Sequence, residues 1–286
     1  MKVIFVVVSA VIIFMQWMGL FASAQRSSTD FLFTPTREKS VLISMVAIDD
    51  RSLTTIGRWP WPRETQAKLL LAINQGKPTV VGYDIVVDDP TETHADALFA
   101  KTLAFIGTVV LPGPTARVVV DIDGDGAVRR FPCADSFALA VARKMIPGTQ
   151  CPSDRLIINY RMDAHSLPVI SASDVLNGTN IPTSPIVLVG ITSPSLQDMR
   201  KTPLASALMP GVYIHTNAID TLVSKRTVRE APKLLGIGAT TLLLASFVVF
   251  LWRVKYVWGI ALLMIWGMIP VILAIVGFER GIRFEI

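Results

Sequence analysis

The sequence predicts an α/β domain, built on a largely parallel sheet flanked by helices, joined to α-helical membrane spans, one N-terminal and two C-terminal. Two observations predict this. Short runs rich in Val and Ile alternate with helix-like patterns through the middle of the chain, as βαβ units require. The apolar residues that raise the mean hydropathy to +0.52 are concentrated in three charge-poor stretches. With 51% hydrophobic and 17% charged residues among 286, the composition excludes a disordered chain and an ordinary soluble one. It also falls short of a protein that is apolar along most of its length.

Residues 1–24 read as an export segment. Met1-Lys2 is a short basic start, Val3–Ala22 is apolar, and Ala22-Ser23-Ala24 fits a small-residue cleavage site before Gln25. Two outcomes are open: cleavage after Ala24, or retention as a transmembrane anchor, which the length of the apolar run favours. In both, Gln25 onwards is exported.

Residues 25–232 form one polar block, large enough to bury its own core. Strands are expected at Val41–Asp49, Thr79–Val87, Gly107–Leu111, Arg117–Asp121, Leu156–Tyr160 and Ile186–Gly190, all short and rich in Val and Ile. Helices are expected at Arg63–Gln75, Thr93–Phe105, Asp135–Met145, around Val175, and at Val212–Val223. Ser27–Arg37 and Lys225–Lys233 read as linkers to the membrane.

Residues 233–253 and 256–278 hold two further apolar segments, Leu234–Trp252 and Tyr256–Phe278, neither with a charged residue. Each is near the ~20 residues that cross a hydrocarbon core as a helix. The short loop between them carries Arg253 and Lys255, which suits the cytoplasmic side. Arg226, Arg229 and Lys233 then lie on the exported side, against a simple positive-inside count, but long domains translocate largely regardless of charge. Residues 279–286 are an exported tail or the start of a third span.

The formal charge of +5 is not a nucleic-acid signature. The polar block has 21 Lys+Arg against 20 Asp+Glu, and the remaining six basic and two acidic residues flank the apolar segments. No basic stripe with interleaved aromatics appears, which excludes nucleic acid as the expected partner.

Several residues could carry chemistry. Asp49 and Asp50 end the first strand and Asp84 lies in the second; open parallel sheets place ligands outside the carboxyl ends of their strands. The alternative use of these acids is capping of turns or helices, followed by pairing of Arg51. Gly57-Arg58-Trp59-Pro60-Trp61-Pro62-Arg63 is a stiff aromatic turn, with Pro62 suited to the first turn of the next helix. It faces a ligand or a second subunit, or it plugs the core.

Asp121-Ile122-Asp123-Gly124-Asp125-Gly126 matches the first half of a calcium loop, but Pro132 stands where the bidentate Glu is needed. A hairpin of Val118–Ile122 and Ala127–Phe131 fits better, with Arg129 and Arg130 balancing the acids. Cys133 and Cys151 are the two cysteines; an exported domain can bridge them, and the alternative is two separate thiols. His94, His165 and His215 have no metal spacing. Ser193 and Ser195 lack a nucleophile elbow. No catalytic constellation, metal site or cofactor is predicted.

These segments carry a resemblance. Ala47–Leu53 followed by the Trp-Pro-Trp-Pro-Arg turn resembles the opening of the type-two CHASE domain, the cyclase/histidine-kinase-associated sensory extracellular domain. Gly82-Tyr83-Asp84, Asp123-Gly124, Arg129-Arg130, Ile158–Arg161, Ser171–Leu176, Ile186–Gly190, Asp198, Thr202-Pro203 and Met209–Asp220 continue it in order. The resemblance implies a non-enzymatic sensory input domain of a bacterial receptor in the cell membrane, with the domain on the periplasmic or extracellular side.

A small-molecule or protein ligand is implied but not identified. The candidate ligand contacts are Asp49, Arg51, Trp59, Trp61, Arg63 and Asp84. Related receptors have three spans after the domain and then a kinase or cyclase; this sequence shows two and no output module. The expected partner is a second copy or a separate cytoplasmic output protein. The competing class is a membrane-anchored exported metal-dependent hydrolase, which the lack of His-carboxylate spacing argues against.

Overall fold

The computed structural model describes residues 26–36, 39–196, 198–204, 208–232 and 271–283, with isolated positions at 11, 14, 15, 234, 238, 241, 242, 245, 246, 268 and 269. The predicted spans at 1–24, 233–253 and 256–278 lie largely outside the described residues. Among the described residues no helix is long and apolar enough to cross a membrane. The chain divides into two compact units, one of residues 33–227 and one of residues 1–32 with 228–286.

The larger unit is a three-layer α/β domain. Its central sheet holds β1 (Ile43–Ile48), β2 (Val80–Tyr83), β3 (Val109–Val110), β7 (Val169–Ser171) and β8 (Ile186–Ile191), in the order β3-β2-β8-β1-β7, with every pair parallel. The residues of β1 and β2 are buried throughout, which is why they read as unbroken apolar runs rather than alternating ones. Between β3 and β7 the chain makes β4 (Asp121–Ile122), β5 (Val128–Pro132) and β6 (Arg155–Ile157), a separate antiparallel sheet. After β8 comes a ribbon of β9 (Met199–Arg200) and β10 (Met209–Pro210).

Helices cover both faces. On one face lie α1 (Asp50–Ile56), α2 (Arg63–Asn74), α3 (Thr93–Ile106) and α5 (Ala172–Leu176). Leu69, Leu70 and Ile73 of α2 and Phe99 of α3 meet Val46, Val81, Val187 and Val189 of the sheet in one core cluster. On the other face lie α4 (Phe137–Met145) and α6 (Gly211–Val223), which pack on each other. Gly82 and Gly190 let this layer close down. A Cβ at Gly190 would stand 2.6 Å from Val212 Cβ, and one at Gly82 would meet Leu188, Val141 and Phe137. All thirteen residues of α6 are buried.

The structure corrects the sequence reading in several places. Arg117–Asp121 is not a strand: Arg117 makes an isolated bridge to Ser136, the partly exposed Val118–Val120 gain no ladder partner, and only Asp121–Ile122 pairs. The strand at Leu156–Tyr160 shortens to β6 and joins the antiparallel sheet, not the parallel one. In the parallel sheet and its helical layers two elements went unpredicted. The edge strand β7 has three residues, too few for a pattern. Helix α1 carries Thr54-Thr55, poor helix formers, and rests on its cap: Asp49 accepts from the Ser52 N–H at 2.8 Å, and Ser52 Oγ donates to the Asp49 carbonyl.

The hairpin of β4 and β5 has the Asp-Gly turn, and its acids are held by arginines. Arg129, fully buried, reaches Asp123 at 2.9 Å and Asp125 at 2.7 Å, while Arg130 reaches Asp123 at 2.8 Å. These pairs occupy the carboxylates that a calcium loop would offer. Cys133 and Cys151 form a disulfide across 18 residues, tying the end of β5 to the loop before β6.

In the smaller unit, β11 (Arg229–Glu230) pairs in parallel with β12 (Ile282–Arg283).

Candidate functional site

The Trp-Pro-Trp-Pro turn leads directly into α2. Its two aromatics differ in role. Trp61 is buried, and its indole N–H donates to the Gly57 carbonyl at 2.9 Å, so it anchors the turn. Trp59 stacks edge-on against Trp61, 5.3 Å between ring centroids, and stays half-buried. The Trp59–Pro60 peptide is cis.

Trp59, Trp61 and Arg63 wall a cavity of about 400 Å³. Gln66 of α2, Ile85 and Val86 beyond β2, and the approach to α3 at Asp89 to Ala95 complete it. The volume is in the range of small-molecule sites, and the lining follows their habit of apolar walls with a few fixed polar groups.

Those polar groups are built in. Arg63 is 8% exposed; its Nη2 donates to the Asp89 carbonyl at 3.1 Å, its Nε lies 3.5 Å from Asp96, and its guanidinium carbon sits 5.8 Å from the Phe99 ring centroid. Gln66 Nε2 donates to the Trp61 carbonyl at 2.7 Å, and its Oε1 accepts from the Tyr83 hydroxyl at 2.7 Å. Burial pushes the Tyr83 phenol well above its usual range, with Arg63 opposing. Asp96 is held below the usual carboxylate range, first by hydrogen bonds from the Thr91 N–H and hydroxyl, with Arg63 adding to them.

The remaining predicted contacts lie elsewhere. Asp49 is spent on the α1 cap and also accepts from Ser171 Oγ at 2.8 Å. Arg51 is exposed and pairs with Asp174 at 2.7 Å. Asp84 does not line the cavity. It follows β2 at the sheet's carboxyl rim, its N–H donating to the Val189 carbonyl at 2.8 Å. Burial raises its carboxyl above the usual range, with His215 opposing and Asp198 reinforcing. The chain leaves β2 for α3 on one face and β8 for α6 on the other, so this rim is a topological switch point.

Gln66, Asp96 and Phe99 were missed from sequence. One was legible: Gln66 is a polar residue on the stripe of Leu69, Leu70 and Ile73, where an apolar one is expected. Ser193 donates to Asp50 and shares a 2.6 Å hydrogen bond with Ser195, with no histidine in the pair. Among the described residues no group of three or more His, Cys, Asp or Glu side chains could hold a metal ion.

No curated protein and no solved structure matches the chain. Among protein-family models, the CHASE2 domain matches residues 5–266, nearly the whole sequence and the polar block in full. The chain belongs to the CHASE2 domain family, a family of sensory extracellular domains rather than catalytic ones.

Proposed function

We propose that this chain is the extracytoplasmic input module of a bacterial transmembrane receptor. In this reading residues 25–232 are the sensor, 1–24 an anchor or signal peptide, and 233–253 and 256–278 membrane spans. The stimulus is a small molecule taken into the cavity walled by Trp59, Trp61 and Arg63, and its arrival is relayed through membrane helices to an output module outside these 286 residues.

The observation that carries the reading is the cavity and its connection inward. A ligand against Trp59 and Arg63 presses on Gln66, which holds Tyr83 of β2. Tyr83 lies beside Val189 of β8, and the next residue, Gly190, packs on Val212 of α6. Helix α6 leads in sequence to the basic segment Lys225–Lys233 and then to the second apolar stretch. Binding relays anything only if it favours one of two arrangements of this chain of contacts.

The test is a melting-temperature screen of the full chain against short carboxylates, phosphates and aromatic acids. The reading expects at least one compound to raise the melting temperature of the parent protein and to lose that effect in Trp59→Ala and Arg63→Gln. A panel without effect, or a shift untouched by both substitutions, rejects the cavity as the site.

A further inference from the structure

The strongest observation outside the cavity is in the smaller unit. Arg283 is a long charged side chain with 1% exposure. Its Nε donates to Thr29 Oγ1 at 3.0 Å, and its Nη2 donates to Thr29 Oγ1 at 2.8 Å, to the Arg26 carbonyl at 2.7 Å and to Asp30 Oδ1 at 3.2 Å. A buried guanidinium is tolerated only where a fixed set of acceptors replaces water. Here those acceptors come from a segment more than 250 residues earlier in the chain. The backbone of the same residue is also engaged. The Arg229 N–H donates to the Gly281 carbonyl and the Ala231 N–H to the Arg283 carbonyl, each at 2.8 Å.

Three segments therefore meet: 26–30, 229–231 and 281–283. In sequence they follow the first apolar stretch, precede the second and follow the third. Hydrogen-bonded backbones share one side of a membrane, so the chain between Ala231 and Gly281 crosses an even number of times. The intervening stretch is about 50 residues (232–280), enough for two helical crossings of about 20 residues and a short turn.

We infer that Arg283 is a positioning residue that locks these three segments, the chain ends flanking the proposed spans, into one collar on the exported side. The inference rests on the proposed spans. Strand β11 leads in sequence toward the second apolar stretch, β12 follows the third, and the two pair in parallel. A movement passed down α6 into residues 229–231 reaches all three spans together rather than the second alone.

The experiment uses the full chain in cells, with new cysteines added to the native pair, which is already bonded. Arg229→Cys with Ile282→Cys places thiols on directly paired residues. Oxidation should link them in high yield, and both Arg283→Lys and Thr29→Val should lower that yield several-fold while leaving the melting temperature of residues 33–227 unchanged. Absence of the link with Arg283 intact, or an equal yield in both variants, overturns the collar. Separately, Ile282→Cys should react in intact cells with a membrane-impermeant maleimide. Reaction only after permeabilisation overturns the shared side. If Lys255→Cys also reacts in intact cells while the link forms, the span assignment fails and the collar stands.

Discussion

The Tyr83 hydroxyl donates to Gln66 Oε1 at 2.7 Å, and through Gln66 the second strand of the sheet is tied to the carbonyl of Trp61. One buried amide thus holds a sheet residue and the aromatic turn together, using both of its ends. Replacing Gln66 by Leu strands the Tyr83 hydroxyl and the Trp61 carbonyl at once. The expected loss is about 1–3 kcal/mol, the cost of buried polar groups left unpaired. Tyr83→Phe should cost about 1 kcal/mol, and the double variant less than the sum of the two. Urea unfolding of all three variants checks this; strict additivity contradicts it.

Asp84 gives a pH dependence with a definite sign. Its folded carboxyl titrates above the ordinary value because burial disfavours the charge, with His215 opposing and Asp198 reinforcing. The folded state therefore holds this proton more tightly than the unfolded chain. The charged form costs stability above the folded value, and the cost disappears as pH falls toward about 4, the unfolded value. Asp84→Asn should raise the melting temperature at pH 7.5, with a gain that shrinks on acidification. A gain independent of pH, or a loss at pH 7.5, would count against the assignment.

Gly190→Ala tests the contact between the sheet and α6. The added carbon would stand 2.6 Å from Val212 Cβ, which cannot swing aside because α6 is buried along its length. The expected cost is about 1–3 kcal/mol. A Val212→Ala partner should recover part of it, read as a double-mutant cycle.

Removing the bridge by Cys133→Ser with Cys151→Ser frees a loop of 18 residues. In the chain-entropy account this costs about 3 kcal/mol. Reductant should lower the melting temperature of the parent protein and leave that of the double variant unchanged.

The buried parallel strands were legible because burial on both faces leaves an uninterrupted Val/Ile run, as in Val80–Val81 and Val187–Val189. Long helices such as α2 and α3 announced themselves by period, and α2 also by the stop at Gly76. What escaped was too short to show a period, and was held either by a partner distant in sequence or by a single side-chain cap. Strand β7 exists because Val169–Ser171 finds β1, and α1 because Asp49 caps it. The site was legible in part. The unusual Trp-Pro-Trp-Pro-Arg string marked the cavity wall, yet the sequence alone could not separate Trp61, buried and holding the turn, from Trp59, which stays half-buried. Asp49 and Arg51 stood out equally, yet Asp49 caps α1 and Arg51 pairs with Asp174, 123 residues further along the chain.

Events at the cavity should be felt in α6. Hydrogen–deuterium exchange on the full chain measures this, with and without the compound selected by its Trp59-dependent melting shift. The expected result is slower exchange at residues 59–66 and 85–95 together with a changed rate in residues 211–223. Slowing confined to the cavity, with residues 211–223 unaltered, would contradict it.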